Sequence, residues 1–371
     1  MSEPAPAGRS NGLRSNRRNY YDKEVGVTTT VEPPAPASAA EQFALRQQSP
    51  VQRIQHVLHS HPSISPLLVL LVSLIAFTII NPRFIQPSTI GIILQQVAVI
   101  AALAIGQTLV ILTAGIDLSV GAIAILSSLL MANLAVKNGM PGILALVLGI
   151  LAGAVAGAIN GALVTRLRLP PFIVTLGTLS IFTAIALLYS GGQEVSRREM
   201  PAILNWAGTR IQLGPFRITT GVIMVAILAL IMAFILSQTS WGRHVYAVGN
   251  DAEASRLVGI RVDRVLFSVY TVAGLIYGIT AWVQIGRAGT ASANAIVDAN
   301  LDSITAVVIG GTSLFGGRGA IIGTILGALI VGVFRTGLSL AGVDDQWRVF
   351  AIGVLVIVAV SIDQWIRKVK A

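Results

Sequence analysis

Residues 90–136 read IGIILQQVAVIAALAIGQTLVILTAGIDLSVGAIAILSSLLMANLAV, an almost continuous apolar stretch. A helix of about 20 apolar residues crosses the hydrocarbon core of a bilayer, so this stretch is long enough for two membrane spans with almost nothing between them. The boundary between the two spans falls near 113–117, where the only acidic side chain of the stretch stands. We therefore expect a broken or re-entrant helix at this point.

Similar apolar runs follow one another from Ile64 onward, separated by short polar breaks. Each run has about 17 to 25 residues and is long enough to cross a bilayer as a helix. The pattern predicts an all-α polytopic membrane protein with about ten transmembrane helices, including broken or re-entrant segments. The predicted spans are 64–80, 90–112, 117–136, 141–163, 171–190, 219–237, 265–286, 299–316, 320–340 and 347–365.

The composition agrees with this fold class. Of the 371 residues, 54% are hydrophobic and 11% are charged, and the mean hydropathy is +0.77. A soluble domain carries about 25% charged residues, so an ordinary soluble enzyme is excluded. The sequence contains no cysteine, which excludes disulfides, thiol nucleophiles and cysteine-ligated metal sites.

Motifs for common catalytic chemistry are also missing from the sequence. None of the four lysines follows a glycine-rich phosphate loop, so the chain has no P-loop with which to hydrolyse ATP. His244 is the only histidine after residue 61, and no H-E-x-x-H pair occurs. We predict a protein that is not an enzyme and that holds no cofactor or metal.

Charge and composition predict how the chain is oriented. Residues 1–62 are rich in Pro, Ala, Ser, Arg and Gln and have little apolar surface, so we expect a disordered cytoplasmic tail before a membrane domain at 63–371. With both termini cytoplasmic, 17 of the 26 Lys and Arg residues lie inside, as the positive-inside rule favours. The net charge of +10 then reflects topology and tail, and no nucleic-acid partner is expected.

Polar side chains within the apolar runs are the candidates for a solute path. Asp117 lies in TAGIDLSVG between two glycines, where it either forms a tight interfacial turn before a helix capped by Ser119 or lines a path or gate. Asp302 and Thr305 are spaced to share one helical face, and the neutral residues either join helices or contact a solute. The candidate path residues are Gln107, Asp117, Asn160, Thr175, Asp302 and Thr305.

The connection at 238–264 is the longest one on the predicted cytoplasmic side. Its middle has the marks of a short helix: Asn250 as N-cap, Glu253 three residues on as a capping-box partner, Arg256 in the last turn and Gly259 after the end. About two turns are marginal in water, so we expect the helix to pack against something. That surface is either the chain's own membrane ends or a cytoplasmic partner.

Several motifs resemble one family of transporters. They are GRHVYAVGNDAEASRLVGIRVDRV at 242–265, TAGIDLSVG at 113–121, LPPFIVTLGT at 169–178, LDSITAVVIGGTSLFGGRG at 301–319 and the closing VSIDQW at 360–365. In this order they resemble the permease subunits of ATP-binding-cassette importers of monosaccharides, of the ribose, xylose and fructose type. The resemblance covers roughly residues 64–370 and is nearest to the fructose-type members.

The resemblance implies a homodimer in the lipid of the bacterial inner membrane. It also implies two cytoplasmic ATPase subunits, a periplasmic sugar-binding protein, and a role for the 238–264 loop in coupling to the ATPase. A sugar would use neutral donors and acceptors along its path. The residues expected to couple to the ATPase are Asn250, Asp251, Ala252, Glu253, Ala254, Arg256, Leu257 and Gly259, with Ala252, Ala254 and Leu257 as the partner-facing side.

Three other functions stay open at this point. The first is that of a related permease, one that carries branched-chain amino acids or nucleosides. A proton-coupled secondary sugar carrier would need a titratable relay, for which Asp117 and Asp302 are the plausible members. A membrane enzyme acting on lipid-linked sugar would need an acidic cluster, which only Asp298, Asp302, Asp344 and Asp345 could supply.

Overall fold

The structure is a computed structural model that describes residues 64–295 and 299–368. The predicted disordered tail and Asp298 lie outside the described residues. Two single-turn 3-10 helices at Pro82–Ile85 and Trp206–Gly208 accompany the α-helices. The α-helices are α1 Ile64–Ile80, α2 Pro87–Leu112, α3 Val120–Val136, α4 Gly142–Arg166, α5 Pro171–Ser190, α6 Ala202–Asn205, α7 Thr220–Gln238, α8 Ser240–Asn250, α9 Ala252–Leu257, α10 Val262–Ala288, α11 Ala299–Ile309, α12 Ile321–Leu340 and α13 Asp345–Lys368.

Every predicted span overlaps one of these helices. Within the described residues, six helices are long and apolar enough to cross a membrane, namely α2, α4, α5, α7, α10 and α12. The apolar helices α1, α3 and α11 are shorter. The prediction of a polytopic helical membrane protein is confirmed, whereas the count of ten crossings and the side on which the termini lie stay predictions.

Helix α2 forms the centre of the bundle, where it packs against α10, α11 and α12. Every residue from Val97 to Leu112 is buried. A helix surrounded on all sides has no need of a polar face, which explains why this part of the sequence is apolar at almost every position.

Helices α4 and α10 approach each other through glycine. A Cβ atom added at Gly157 would lie 2.2 Å from the Tyr270 carbonyl oxygen, and one at Gly153 would lie 2.5 Å from the Gly274 carbonyl oxygen. Small residues four apart let two backbones come close, and the resulting van der Waals contact holds helices together in a membrane. The glycine content of these spans therefore serves helix packing.

Two stretches interrupt the helices as backbone without regular structure. The first, 113–119, separates α2 from α3, so the interruption expected in the long apolar stretch is present. The second, 310–320, ends α11 at Ile309, and the predicted run 299–316 is therefore wrong beyond that residue. Gly311 and Gly316 have φ angles of +84° and +83°, which glycine adopts freely and other residues rarely do.

Small strands lie outside the membrane helices. Strands β2 (Arg210–Leu213) and β3 (Phe216–Thr219) form an antiparallel hairpin, and β1 (Val195–Ser196) pairs with β4 (Thr290–Ala291). The second pairing joins the segment after α5 to the segment after α10, at the end of the bundle away from α8 and α9.

Candidate functional site

Asp117 is buried in the interruption between α2 and α3. Only 1% of it is exposed, and its Oδ1 accepts hydrogen bonds from the Ser119 backbone N–H at 2.8 Å and from the Ser119 hydroxyl at 2.6 Å. Ser119 occupies the N-cap position of α3, but its side chain makes no capping hydrogen bond. The expected Ser119 cap is thus wrong, because its hydroxyl is used by Asp117.

Three further candidate path residues surround Asp117. Asn160 of α4 donates from Nδ2 to the Ser119 hydroxyl at 2.8 Å, and the Thr175 hydroxyl of α5 lies 3.0 Å from both the Ile116 carbonyl and the Pro171 carbonyl of its own helix, between which it shares its proton. The Gln107 amide of α2, with its nitrogen facing the Asp117 carbonyl, donates to that oxygen at 3.1 Å and accepts from the Asp117 N–H at 3.3 Å. We call Gln107, Asp117, Ser119, Asn160 and Thr175 the polar core.

The polar core is closed to solvent, since Gln107, Asn160 and Thr175 have no exposed surface. Its bonds satisfy the backbone of a non-helical segment, which a bundle interior without water requires. This geometry favours the interpretation of Asp117 as a turn residue. The start of α3 is held in addition by Asn300 of α11, whose Oδ1 accepts from the Gly121 N–H at 2.7 Å.

Asp302 and Thr305 lie apart from the polar core, on α11. Both are buried, but only Asp302 reaches a cavity of about 640 Å³ between α2, α11, α12 and α13. Its Oδ1 accepts from Arg335 Nη2 at 2.7 Å, and Arg335 lines the same cavity. The sequence reasoning missed Arg335, although a guanidinium within the predicted span 320–340 demands a partner and marks a candidate site.

The cavity, which we call the chamber, is lined by charged and polar side chains as well as apolar ones. Arg287, Asp345 and Arg348 join Asp302 and Arg335 in its lining, and Asp345 forms an ion pair with Arg348. The chamber lies beside the first half of α2 and the last turns of α12. It is therefore at the other end of these two helices from the 238–264 connection.

The short helix predicted in the 238–264 connection is present as α9, and one of its ends differs from the prediction. Asp251 is the N-cap, with an extended backbone (φ −160°, ψ 107°) and a side chain that accepts from the Ala254 N–H at 2.9 Å. Asn250 is not the N-cap because it is the last residue of α8, and no capping box with Glu253 forms. At the other end Gly259 has φ +88°, as expected for a residue that terminates a helix.

Helix α9 presents an apolar tip to solvent. Leu257 is 89% exposed and Val258 is 77% exposed, and Ala254 is exposed as well. Ala252 is half-buried and packs against the bundle, so only two of the three residues expected to face a partner are open. Arg256 forms an ion pair with Glu253 and a second one with Asp263 at 3.5 Å, which ties α9 to the start of α10.

Helix α8, which the sequence reasoning missed, fastens α9 to the bundle. Trp241 donates from Nε1 to the Ser268 hydroxyl at 2.8 Å, and the Tyr246 hydroxyl donates to the Gly319 carbonyl at 2.8 Å. Burial raises the pKa of Tyr246, which keeps this donor protonated. A sequence signal existed, because Trp241, Val245 and Val248 recur at the spacing of one helical face.

The end of α8 meets both interruptions of the bundle. A Cβ atom at Gly249 would lie 1.7 Å from the Leu112 carbonyl oxygen, the same oxygen that accepts from the Gly317 N–H at 2.9 Å. A Cβ atom at Gly316 would lie 2.9 Å from the Ala114 nitrogen. We call this contact of 112–114, Gly249 and 316–317 the glycine junction.

Comparison with known proteins identifies the family. Residues 89–360 match the family described as "Branched-chain amino acid transport system / permease component". The chain belongs to this permease family. It is a multi-pass membrane protein of the kind that its apolar helices indicate, and the sugar permeases among its relatives confirm the resemblance seen in its motifs.

Relatives of this permease are known in several bacteria. The Fructose import permease protein FrcC of Rhizobium meliloti is 49% identical over 333 residues, 89% of this chain and 92% of the relative. The Ribose import permease protein RbsC of Bacillus subtilis (strain 168) is 40% identical over 81% of this chain and 92% of the relative. The D-allose transport system permease protein AlsC of Escherichia coli (strain K12) is 34% identical over 81% and 91%. No solved structure matches this permease at a significant level.

Proposed function

We propose that this chain is the membrane-spanning permease subunit of an ATP-binding-cassette importer for a monosaccharide, with fructose as the first sugar to test. Three relatives whose names state a substrate are permeases for fructose, ribose and allose, and the fructose permease is 49% identical to this chain. These sugars differ in ring size and in the orientation of hydroxyl groups. Because these relatives are all named for monosaccharides, a monosaccharide is favoured over the branched-chain amino acids of the family's description and over nucleosides.

The importer that we propose has three kinds of subunit. Two copies of this chain span the bacterial inner membrane as a homodimer surrounded by lipid, with both termini in the cytoplasm. A separate ATPase subunit drives transport, since the sequence of this chain has no P-loop. A periplasmic binding protein delivers the sugar.

The observation that carries this proposal is the exposed tip of α9. A leucine with 89% of its surface exposed, next to a valine with 77%, gains free energy when a partner covers it. The Asp251 cap and the Arg256 ion pairs hold the tip in a defined shape, which limits the entropy lost on docking. We assign Leu257 and Val258 to a groove of the ATPase subunit.

The glycine junction suggests how movement of the ATPase reaches the membrane helices. Helix α8 continues into α9 within two residues and touches the ends of both interruptions through Gly249. Because backbone lies against backbone there, a shift of α8 has no flexible side chain to absorb it. Displacement of α9 by the ATPase would therefore move α2 and α12 together.

A proton-coupled carrier is less well supported by the geometry. Asp117 accepts two hydrogen bonds at Oδ1 from Ser119 of its own loop and has only 1% of its surface exposed, so its carboxylate is not open to water in this conformation. Asp302 pairs with Arg335. A membrane enzyme is disfavoured in the same way, because Asp302 and Asp345 are both engaged by arginine.

The test is Leu257→Asp in the complex of this chain with its ATPase and binding protein, reconstituted in liposomes. We expect loss of ATP-dependent fructose uptake and loss of co-purification with the ATPase subunit, with normal membrane insertion, because a charge replaces the apolar tip. The control is Leu213→Asp, the same change at a 53% exposed leucine of β2, which should keep both properties. Normal sugar-stimulated ATPase activity in Leu257→Asp would remove the assignment.

A further inference from the structure

We infer that the chamber is a binding site for the monosaccharide, in which the Asp302–Arg335 pair and its neighbours bind the sugar hydroxyls. This inference rests on the proposed function and adds the place in the chain where the sugar is held. The size of the chamber supports this inference, since its volume of about 640 Å³ falls within the roughly 300–1,000 Å³ of small-molecule pockets.

The chemistry of the polar lining residues fits a polyol. A sugar hydroxyl both donates and accepts, and a carboxylate beside a guanidinium offers one acceptor and one donor group within 2.7 Å of each other. The Asp302–Arg335 and Asp345–Arg348 pairs are each neutral as a whole, and Arg287 adds one further donor group to the lining. Gln96 and Thr336, which hydrogen-bond to each other at 3.4 Å, add uncharged groups of both kinds to the lining.

The rest of the lining is apolar. Ile100 and Leu103 of α2 contribute to it, with Ile352 of α13. The C–H faces of a sugar ring pack well on such side chains, while its hydroxyls bind the polar ones. This mixed lining suits a monosaccharide better than a small ion, which would leave the apolar side chains without a partner.

The depth of the chamber fits a site on a transport path. Leu103, which has no exposed surface, closes its inner end, and Gln107 of the polar core follows one turn later on α2. The chamber therefore stops at the polar core, beyond which lie the glycine junction and α8. A sugar held here would be separated from the ATPase side by the segment that α8 contacts.

The absence of cysteine from the whole sequence gives a direct test. Thr336→Cys places a thiol in the chamber, and Thr324→Cys places one on the same helix at a fully buried position outside it. Each variant is reconstituted with the ATPase and binding protein and treated with a membrane-impermeant thiol reagent. We expect modification of Thr336→Cys, followed by loss of fructose uptake, and no modification of Thr324→Cys.

Occupancy of the chamber is then tested by protection. Labelling of Thr336→Cys is measured with sugar-free binding protein and with binding protein loaded with fructose, ribose or allose, so that shielding by the protein itself is the baseline. A ligand at ten times its dissociation constant should slow labelling about tenfold, because only the empty fraction reacts. Leucine serves as the zwitterionic comparison, and protection by leucine alone would assign the chamber to an amino acid.

The outcomes separate the two proposals. If the unmodified wild-type complex takes up no monosaccharide, the proposed function fails and the sugar site fails with it. If the wild type takes up fructose but labelled Thr336→Cys transports normally, or no sugar slows the labelling, only the chamber assignment fails. Ser339→Cys, at an exposed position of the same lining, repeats the test if Thr336→Cys is inactive before labelling.

Discussion

Asp117 and Asp302 are both buried carboxylates in an apolar bundle, yet they are satisfied in opposite ways. Asp117 accepts two hydrogen bonds from Ser119, two residues further along its own loop, and both donors are uncharged. Asp302 accepts from Arg335, 33 residues further on and on another helix, and this pair borders the chamber. Asp117 is therefore enclosed by the fold, whereas Asp302 borders the chamber.

This difference indicates a structural role for Asp117 and a functional role for Asp302. Both hydrogen bonds from Ser119 go to Oδ1 of Asp117, and the amide oxygen of asparagine can accept the same two bonds, so we expect the charge of Asp117 to be dispensable. A carboxylate bound by a guanidinium is not, because removing either partner leaves the other uncompensated. Helix α11 connects the two regions, since Asn300 binds the start of α3 while Asp302 binds α12.

The largest effect is expected from Asp117→Ala. The change leaves the Ser119 N–H and hydroxyl without their acceptor in a closed interior, and one such orphaned group costs about 1–3 kcal/mol. We expect a clear loss of folded protein and a lower Tm of the detergent-solubilised chain. Asp117→Asn is the matched control and should stay close to the wild type in Tm and in fructose uptake. If Asp117→Asn lowers Tm and fructose uptake as much as Asp117→Ala does, the charge of Asp117 matters, and Asp117 and Asp302 do not differ in this respect.

An intermediate effect is expected from Asp302→Asn and Arg335→Gln. Here, unlike at Asp117, we expect the loss of charge alone to be harmful. Arg335 has 32% of its side chain exposed, so water screens part of the loss and we expect about 1–2 kcal/mol in unfolding free energy. Fructose uptake should fall about tenfold, because a hydrogen bond to a charged group is worth about 1.5 kcal/mol or more. Partial recovery in the charge-swapped Asp302→Arg with Arg335→Asp would show that the pair acts as a unit. Unchanged uptake in both single variants would place the sugar elsewhere.

The sequence could predict the features that depend on interactions between neighbouring residues. The helices followed from apolar runs, and Gly259 ended α9 as expected, because both depend on neighbouring residues. The N-cap was assigned to Asn250 instead of Asp251 because the preceding helix α8 was not recognised. Arg335 was within reach of sequence reasoning, since its charge stands in an apolar run.

Other features depend on packing between distant segments. The polar core joins residues of α2, α4 and α5 around a non-helical loop. Asn160 lies 41 positions after Ser119, and Thr175 lies 59 positions after Ile116. The glycine junction likewise brings together three segments that share no local signal. Individual polar residues could therefore be selected as candidates, but their division into a closed core and an open chamber could not.

The smallest effect compares two threonines, one in each region. Thr175→Val removes the hydroxyl that donates to the Ile116 carbonyl in the polar core and should lower the unfolding free energy by about 1 kcal/mol. Thr305→Val changes a buried threonine next to Asp302, for which the described part of the chain gives no hydrogen bond, and should alter it little. Thermal unfolding of both variants in the same detergent measures the difference. Because Val preserves the shape of Thr, a larger loss at 305 than at 175 would mean that the Thr175 hydroxyl does not hold the polar core together as proposed.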